Sequence, residues 1–523
     1  MKKGFLLLLV VLLSSFFAGC GGNNGSSPNP PQPPQPPSTI TSVTVSPPSV
    51  TLEVGKTQQF TVEVKGTGNF DASVNLYVND VMSGNSTIGT IDISSLYATP
   101  NVVPDPATVT VKAVSRQDPT KFGTASVTIV PIQQVSLEWV RFVNFCDNCL
   151  RDDGYTVAID SQDNIIAGGW KWLQNWGNPV PDWIGALVSF DKLGNERWRT
   201  DFGATLSWIA SIARQPGQDS FYFTGSDGSP SGELNVALLG KIDTDGQILI
   251  NPFLKSFQIN GEETGCSLIR TQESQLYLSC GTGSGRLWMT VADFDSNVQR
   301  SFQVRDSGIL YGLWVTPNYI LTSGQFYDTE GPWSVAGYLR KFDHQGNLLW
   351  EGEKTFNDVI QLKVVEDSQG FIYAAGTQLE LTPNEPRRYI LVKLNQQGEE
   401  IWRRFWDGDN PSEQNYCNWV NDLILKPQGG VVVIGALTEF KGASPCCTTY
   451  PNCWDFGAWA VDPEGNTLWK IRQDINQSPW DYPRAGAFDS QGRLILVGMT
   501  APKPTGSDFT DNVDLTVVKF RVP

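Results

Sequence analysis

The chain has 523 residues, too many for one compact core, so several domains are expected. It carries 38 Lys and Arg against 54 Asp and Glu, a net charge of −16. A body this acidic repels phosphate backbones and anionic headgroups, which excludes nucleic acid as a partner. His344 is the single histidine, so Ser-His-Asp or Cys-His catalysis and any His-rich metal site have nothing to build on.

Lys2 and Lys3 precede an apolar run over 5–17 that ends in Ala18-Gly19-Cys20. The run is too short to span a bilayer and reads as an export signal over residues 1–19. Phe17-Ala18-Gly19-Cys20 resembles the lipobox of bacterial lipoproteins, in which the cysteine becomes the lipidated first residue. That resemblance implies lipid attachment at Cys20, and Gly21 after it implies an outer-membrane address in a Gram-negative host. Residues 20–38 are Pro, Asn, Gln and Ser with almost nothing apolar, an extended tether that cannot bury a core. Membrane contact is expected through the lipid anchor only.

Residues 39–132 alternate apolar and polar side chains, with Pro and Gly at the turns, which predicts a β-sandwich. Val43-Thr-Val-Ser-Pro47, Val54-Gly-Lys-Thr-Gln-Gln-Phe60, Gly84-Asn-Ser-Thr-Ile-Gly-Thr-Ile91, Tyr97 and Thr108-Val-Thr-Val-Lys-Ala113 resemble the group-two bacterial immunoglobulin-like domain. The resemblance implies a spacer on an exported protein.

Residues 133–523 repeat one unit seven times. Its first half is strand, turn, strand closing on glycine, over 155–169, 209–225, 267–281, 310–324, 362–376, 421–435 and 485–498. Asp160-Ser-Gln, Asp367-Ser-Gln-Gly370 and Asp489-Ser-Gln-Gly492 occupy one turn position, where Asp starts the turn and Gly supplies positive φ. The second half is an apolar run, an Asp-x-x-Gly turn and a strand bearing Trp: Asp191, Gly194 and Trp198 recur as Asp343, Gly346 and Trp350, and as Asp462, Gly465 and Trp469. A period of about 55 residues with four antiparallel strands is that of a β-propeller blade. Residues 136–142 read as an outer strand with no blade before it, and 514–522 as a third strand with no fourth after it. Pairing them completes a seventh blade and leaves no sheet edge open. The predicted fold is all-β, a sandwich followed by a seven-bladed propeller closed by its terminal strands.

Turns inside the hairpins are short, whereas the connections at the opposite ends are long and irregular, which places binding on that rim. Trp170, Trp172, Trp176 and Trp183 fall there, with Trp333, Trp406, Trp419 and Trp454. Their flat faces are candidates for stacking on sugar rings or clamping a peptide. Trp139, Trp198, Trp350, Trp402 and Trp469 lie in register on outer strands and read as packing between blades.

Eight cysteines follow Cys20, and in an exported protein an even set reads as disulfides. Cys266 and Cys280 sit symmetrically about a hairpin turn and are the best pair. Cys417 is in one long loop and Cys446, Cys447 and Cys453 in the next, with a bridge expected to join them, while Cys146-x-x-Cys149 resembles a redox or zinc half-site but reads as a closed local disulfide or as bridges to the loop cysteines. Asp152, Asp153, Asp407, Asp409 and Glu413 are read as loop carboxylates, solvated rather than catalytic. No cofactor is expected, calcium being the one ion these carboxylates would admit. The Asp-x-x-Gly-x-x-x-Trp repeat is similar to that of quinoprotein-like propellers, but no matching ligand set accompanies Cys446-Cys447, so the blade carries over and the enzyme does not. The reading is a monomeric surface module that binds a glycan or a protein. Carboxylate-dependent polysaccharide chemistry and scaffolding of an outer-membrane complex are the alternatives.

Overall fold

The structure, a computed structural model, describes residues 37–130, 135–145, 149–173, 182–203, 208–227, 236–251, 258–259, 262–282, 284–327, 335–379, 387–406, 418–437, 454–475, 478, 480–501 and 513–523. All described regular structure is β-strand, divided into two units at Ile132 and Gln133.

The first unit holds three sheets around one core. Its five-stranded sheet runs, in spatial order, Ser49–Glu53, Phe122–Val130, Thr108–Ser115, Val74–Val78 and Val81–Met82. Period two is explicit in Thr108–Ser115, where Val109, Val111 and Ala113 point inward and are fully buried. They meet Phe60, Ile91 and Tyr97, and the Tyr97 hydroxyl donates to the Ile88 carbonyl at 2.7 Å.

The second unit contains seven sheets of four antiparallel strands among the described residues, the third carrying an extra short strand, Gln258–Ile259. Six are sequential: 149–201, 208–250, 258–305, 309–357, 359–406 and 419–473. The seventh joins Asp481–Phe488, Leu494–Thr500 and Asp514–Arg521 to Ser136–Val143, with Val140 opposite Val518 and Phe142 opposite Thr516. The predicted pairing of the two terminal strands is therefore present. Each innermost strand neighbours that of the next sheet, and Cys149–Ile159 of the first sheet meets Asp481–Phe488 of the last. This is the arrangement of a β-propeller.

Aromatic residues on the outer strands, or for Trp350 in the bend just before one, lock one sheet to the next. In the Asp191 turn the carboxylate accepts from the Leu193 and Asn195 amides at 2.9 and 2.8 Å, and Gly194 takes φ +84°. A Cβ on Gly194 would lie 3.0 Å from the Trp139 ring, and one on Gly246 would lie 2.8 Å from Trp198. Trp198 and Trp350 also donate their indole N–H to the neighbouring turn, at the Thr244 and Gln396 carbonyls, 2.7 and 3.0 Å away. The repeated glycine thus serves both the left-handed turn and the close approach of an indole.

Candidate functional site

The seven innermost strands share a local irregularity that the repeat pattern does not display. Each slips register against its neighbour, between Gly154 and Thr156, Ile209 and Ser211, Cys266 and Leu268, Leu310 and Gly312, Ile360 and Lys363, Val420 and Asp422, and Pro483 and Ala485. A β-bulge of this kind leaves one residue unpaired and re-aims its side chain. The bulged residues Tyr155, Ala210, Ser267, Tyr311, Gln361, Asn421 and Arg484 all line a central channel of about 670 Å³. The volume lies within the roughly 300–1,000 Å³ of small-ligand pockets.

The bulge explains the glycine that closes the strand beside it. A Cβ at Gly169, Gly324, Gly435 or Gly498 would fall 1.8, 1.9, 1.9 or 2.1 Å from the carbonyl oxygen of Asp153, Ile309, Trp419 or Tyr482. In each case that carbonyl lies two residues before the bulged one. Only glycine admits it.

Charge converges in the channel from five sheets, the second giving Arg214, which is paired with Asp219. Arg270, Lys363, Asp422 and Arg484 line it, with Tyr155, Trp208, Tyr311 and Trp314 among the aromatic walls. Asp422 is held by backbone, its Oδ2 accepting from Gly486 N at 3.1 Å and its Oδ1 from Leu423 N at 2.9 Å. Arg484 donates to the buried Asp153 carboxylate at 3.1 Å, and its guanidinium lies 4.5 Å from the centroids of both Tyr155 and Tyr482. Arg270 donates to the Ile269 carbonyl at 2.9 Å, and the Lys363 ammonium lies 5.5 Å from the Tyr311 ring. Neither Arg270 nor Lys363 is within ion-pair distance of a carboxylate among the described residues. Burial pulls the Lys363 ammonium down to about 8, against the pull of Asp422 and with repulsion from Arg270 and Arg484 adding to it. Gln361 Oε1 and Arg484 Nε are buried without a hydrogen-bond partner, so the channel retains polar groups able to take one.

The tryptophans expected to form one binding rim fall into separate clusters. Trp170 is 3 % exposed and packs against Trp183 at 4.6 Å, with the Arg151 guanidinium 5.4 Å from its ring. Trp406 is 2 % exposed, wedged between Tyr389 and Trp459. Both rings are used by packing, which corrects the expectation that they face a ligand. Trp183 is 44 % exposed and sits opposite Trp172 in register, so these two keep an accessible aromatic surface. Trp419 and Trp454 are half-buried beside Trp480 and Tyr482. Trp176 and Trp333 lie outside the described residues, as do Cys20, Cys146, Cys417, Cys446, Cys447, Cys453, Asp407, Asp409 and Glu413. Cys266 and Cys280 form the expected disulfide across their hairpin, and Cys149 is disulfide-bonded as well.

Asp152 and Asp153 are not solvated loop carboxylates. They lie in Cys149–Ile159 and are 1 % and 0 % exposed. Burial pushes the Asp152 carboxyl up to about 7, although the Phe145 amide donates to it at 3.1 Å. Asp481 begins its own innermost strand at the equivalent position, three residues before the bulge, and accepts from Ile475 N at 2.5 Å. The position is a carboxylate cap on the incoming loop.

Sequence reasoning missed Arg270, Lys363, Asp422 and Arg484. The available signal was a charged residue inside the otherwise apolar first strand of a repeat.

No protein-family model matches the chain, and no curated protein is recognisably similar to it. Among solved structures, the Dos1 propeller is similar at 10 % identity and TM-score 0.43, over 74 % of this chain and 94 % of that one. The β-propeller domain of the Trilobed protease from Pyrococcus furiosus is similar at 9 % identity and TM-score 0.38, over 71 % and 97 %. Polysaccharide lyase Uly1 is similar at 9 % identity and TM-score 0.42, over 70 % and 89 %. Such likeness concerns the fold alone.

Proposed function

We propose that this chain is an exported binding protein whose seven-bladed propeller holds a carboxylated glycan in its central channel. Cys20 is the lipid anchor, residues 20–38 the tether and residues 39–132 an immunoglobulin-like spacer that holds the propeller off the outer membrane. The observation that carries the reading is the inversion of sign. A protein of net charge −16 places Arg270, Lys363 and Arg484 around one channel with a single lining carboxylate, Asp422. Cations inside an acidic body focus potential on an anion, and the aromatic walls offer faces on which sugar rings stack. In the full chain, calorimetry should show binding of uronate oligosaccharides that weakens with salt and falls at least about tenfold in Lys363→Met or Arg270→Met, a loss of about 1.4 kcal/mol. Equal affinity for neutral and carboxylated oligosaccharides would refute the channel reading.

A second reading, a protein partner on the rim, is favoured by exposed Trp183 beside Trp172. Trp183→Ala would then abolish capture of the partner while leaving uronate binding intact.

A further inference from the structure

We propose that Asp455, Asp474 and Asp481 form a calcium site where the sixth sheet meets the seventh. The three come from different elements: Asp455 opens the strand Asp455–Val461, Asp474 follows Thr467–Gln473, and Asp481 opens Asp481–Phe488. One carboxylate oxygen from each lies within 4.8 Å of the others. Oxygens on opposite sides of a calcium ion at about 2.4 Å are separated by about that distance. The set is all carboxylate, the hard-donor chemistry that selects calcium over zinc or copper.

Acidic residues often gather on a surface without an ion. Here a second observation separates a site from a cluster. Asp481 is 0 % exposed, and its Oδ1 has no hydrogen-bond partner while Oδ2 accepts from Ile475 N. Thr500 faces it across the strand pair, yet neither the Thr500 hydroxyl nor Oδ1 reaches hydrogen-bond geometry. A buried carboxylate oxygen left unpaired is costly, and a cation bound between the three residues removes that cost.

The surroundings fit the same reading. Arg472 donates to Asp455 Oδ2 at 2.7 Å and balances one of three negative charges, leaving two for a divalent ion. The backbone is fixed at this point, since Asp481 N donates to the Trp454 carbonyl at 2.9 Å and Trp454 bridges Trp480.

That geometry supplies its own probe. Trp454 and Trp480 precede Asp455 and Asp481 in sequence, so excitation of their indoles will sensitise terbium bound in a calcium site. Titrating the full chain with terbium should give saturable emission that calcium displaces, and calcium should raise the melting temperature by several degrees. Asp474→Asn should weaken terbium binding at least tenfold and abolish the thermal shift. Asp481→Asn should do the same; should it fail to fold, half-exposed Asp474 keeps the test open. No saturable emission, or emission and thermal shift unchanged in Asp474→Asn, overturns the proposal. The second outcome would place calcium elsewhere on the chain.

Discussion

Lys363 and Asp152 are displaced from their ordinary titration ranges by the same cause, burial, with opposite consequences for pH. Between about pH 8 and pH 10.5 an unfolded chain holds the Lys363 proton that the folded chain has released, so this residue makes stability rise with pH across that window. Ligand affinity moves the other way. A carboxylated ligand needs the ammonium, so binding should weaken as pH passes about 8, and Lys363→Met should remove that dependence in calorimetric titrations at pH 7 and pH 9. Asp152 is the reverse case. Its folded carboxyl keeps a proton up to about pH 7 that the unfolded chain has lost near pH 4, so its contribution falls as pH rises between those values. Thermal melts should show the wild type losing more stability than Asp152→Asn from pH 5 to pH 8, by on the order of 1–3 kcal/mol. An identical slope in both proteins would show that the buried carboxyl titrates normally.

Each innermost strand pairs a bulge with a glycine, and that pairing makes a repeat position with no side chain structurally demanding. A methyl at Gly324 would lie 1.9 Å from the Ile309 carbonyl, a clash that only backbone movement relieves. Gly324→Ala should cost at least about 2 kcal/mol in denaturant unfolding. Gly281, which closes the equivalent strand of the third sheet, meets nothing nearer than Leu287 Cδ2 at 3.9 Å. Gly281→Ala should therefore stay within about 0.5 kcal/mol of wild type, and a large loss there would break the link between glycine and carbonyl. Trp350 lies in the bend before the outer strand Lys354–Asn357 rather than on it, is 8 % exposed and donates across to Gln396. Trp350→Ala should cost about 3 kcal/mol through cavity and lost hydrogen bond together.

At the scale of the molecule, closure depends on a strand far from its partners in sequence. Glu138 accepts from Arg521 at 3.2 Å across 383 residues, and pairs with Arg493 at 2.9 Å. Removing residues 136–143 would expose the edge of Asp514–Arg521, a strand buried along most of its length. Such an edge pairs with other chains. The truncated protein should melt broadly and form large oligomers on a sizing column, whereas a sharp monomeric transition would mean that the terminal pairing is dispensable. Contacts this distant also carry a large loop-closure cost, so refolding should be slow.

Much of this architecture could be read from the residues before any coordinate was considered. Alternation at period two, Asp and Gly at recurrent turns and Trp in register are local patterns, and local patterns set strand identity and face. The unpaired strands at 136–142 and 514–522 exposed the closure for the same reason, because a unit lacking one strand is visible by counting. The Cys266–Cys280 bridge followed from spacing about one turn. The channel was not legible. Its lining depends on bulges that rotate Tyr155, Gln361, Asn421 and Arg484 toward the axis, and a one-residue slip leaves no mark in an alternating sequence beyond the glycine opposite. Nor could spacing reveal that Trp170 and Trp406 are consumed by packing while Arg270, Lys363 and Asp422 meet. Strand, turn and repeat were decided by the sequence alone, since each is settled within a few residues. Which side chains share the channel and which three aspartates converge was decided only by tertiary structure, because these groups are brought together by the curvature and closure of the whole ring.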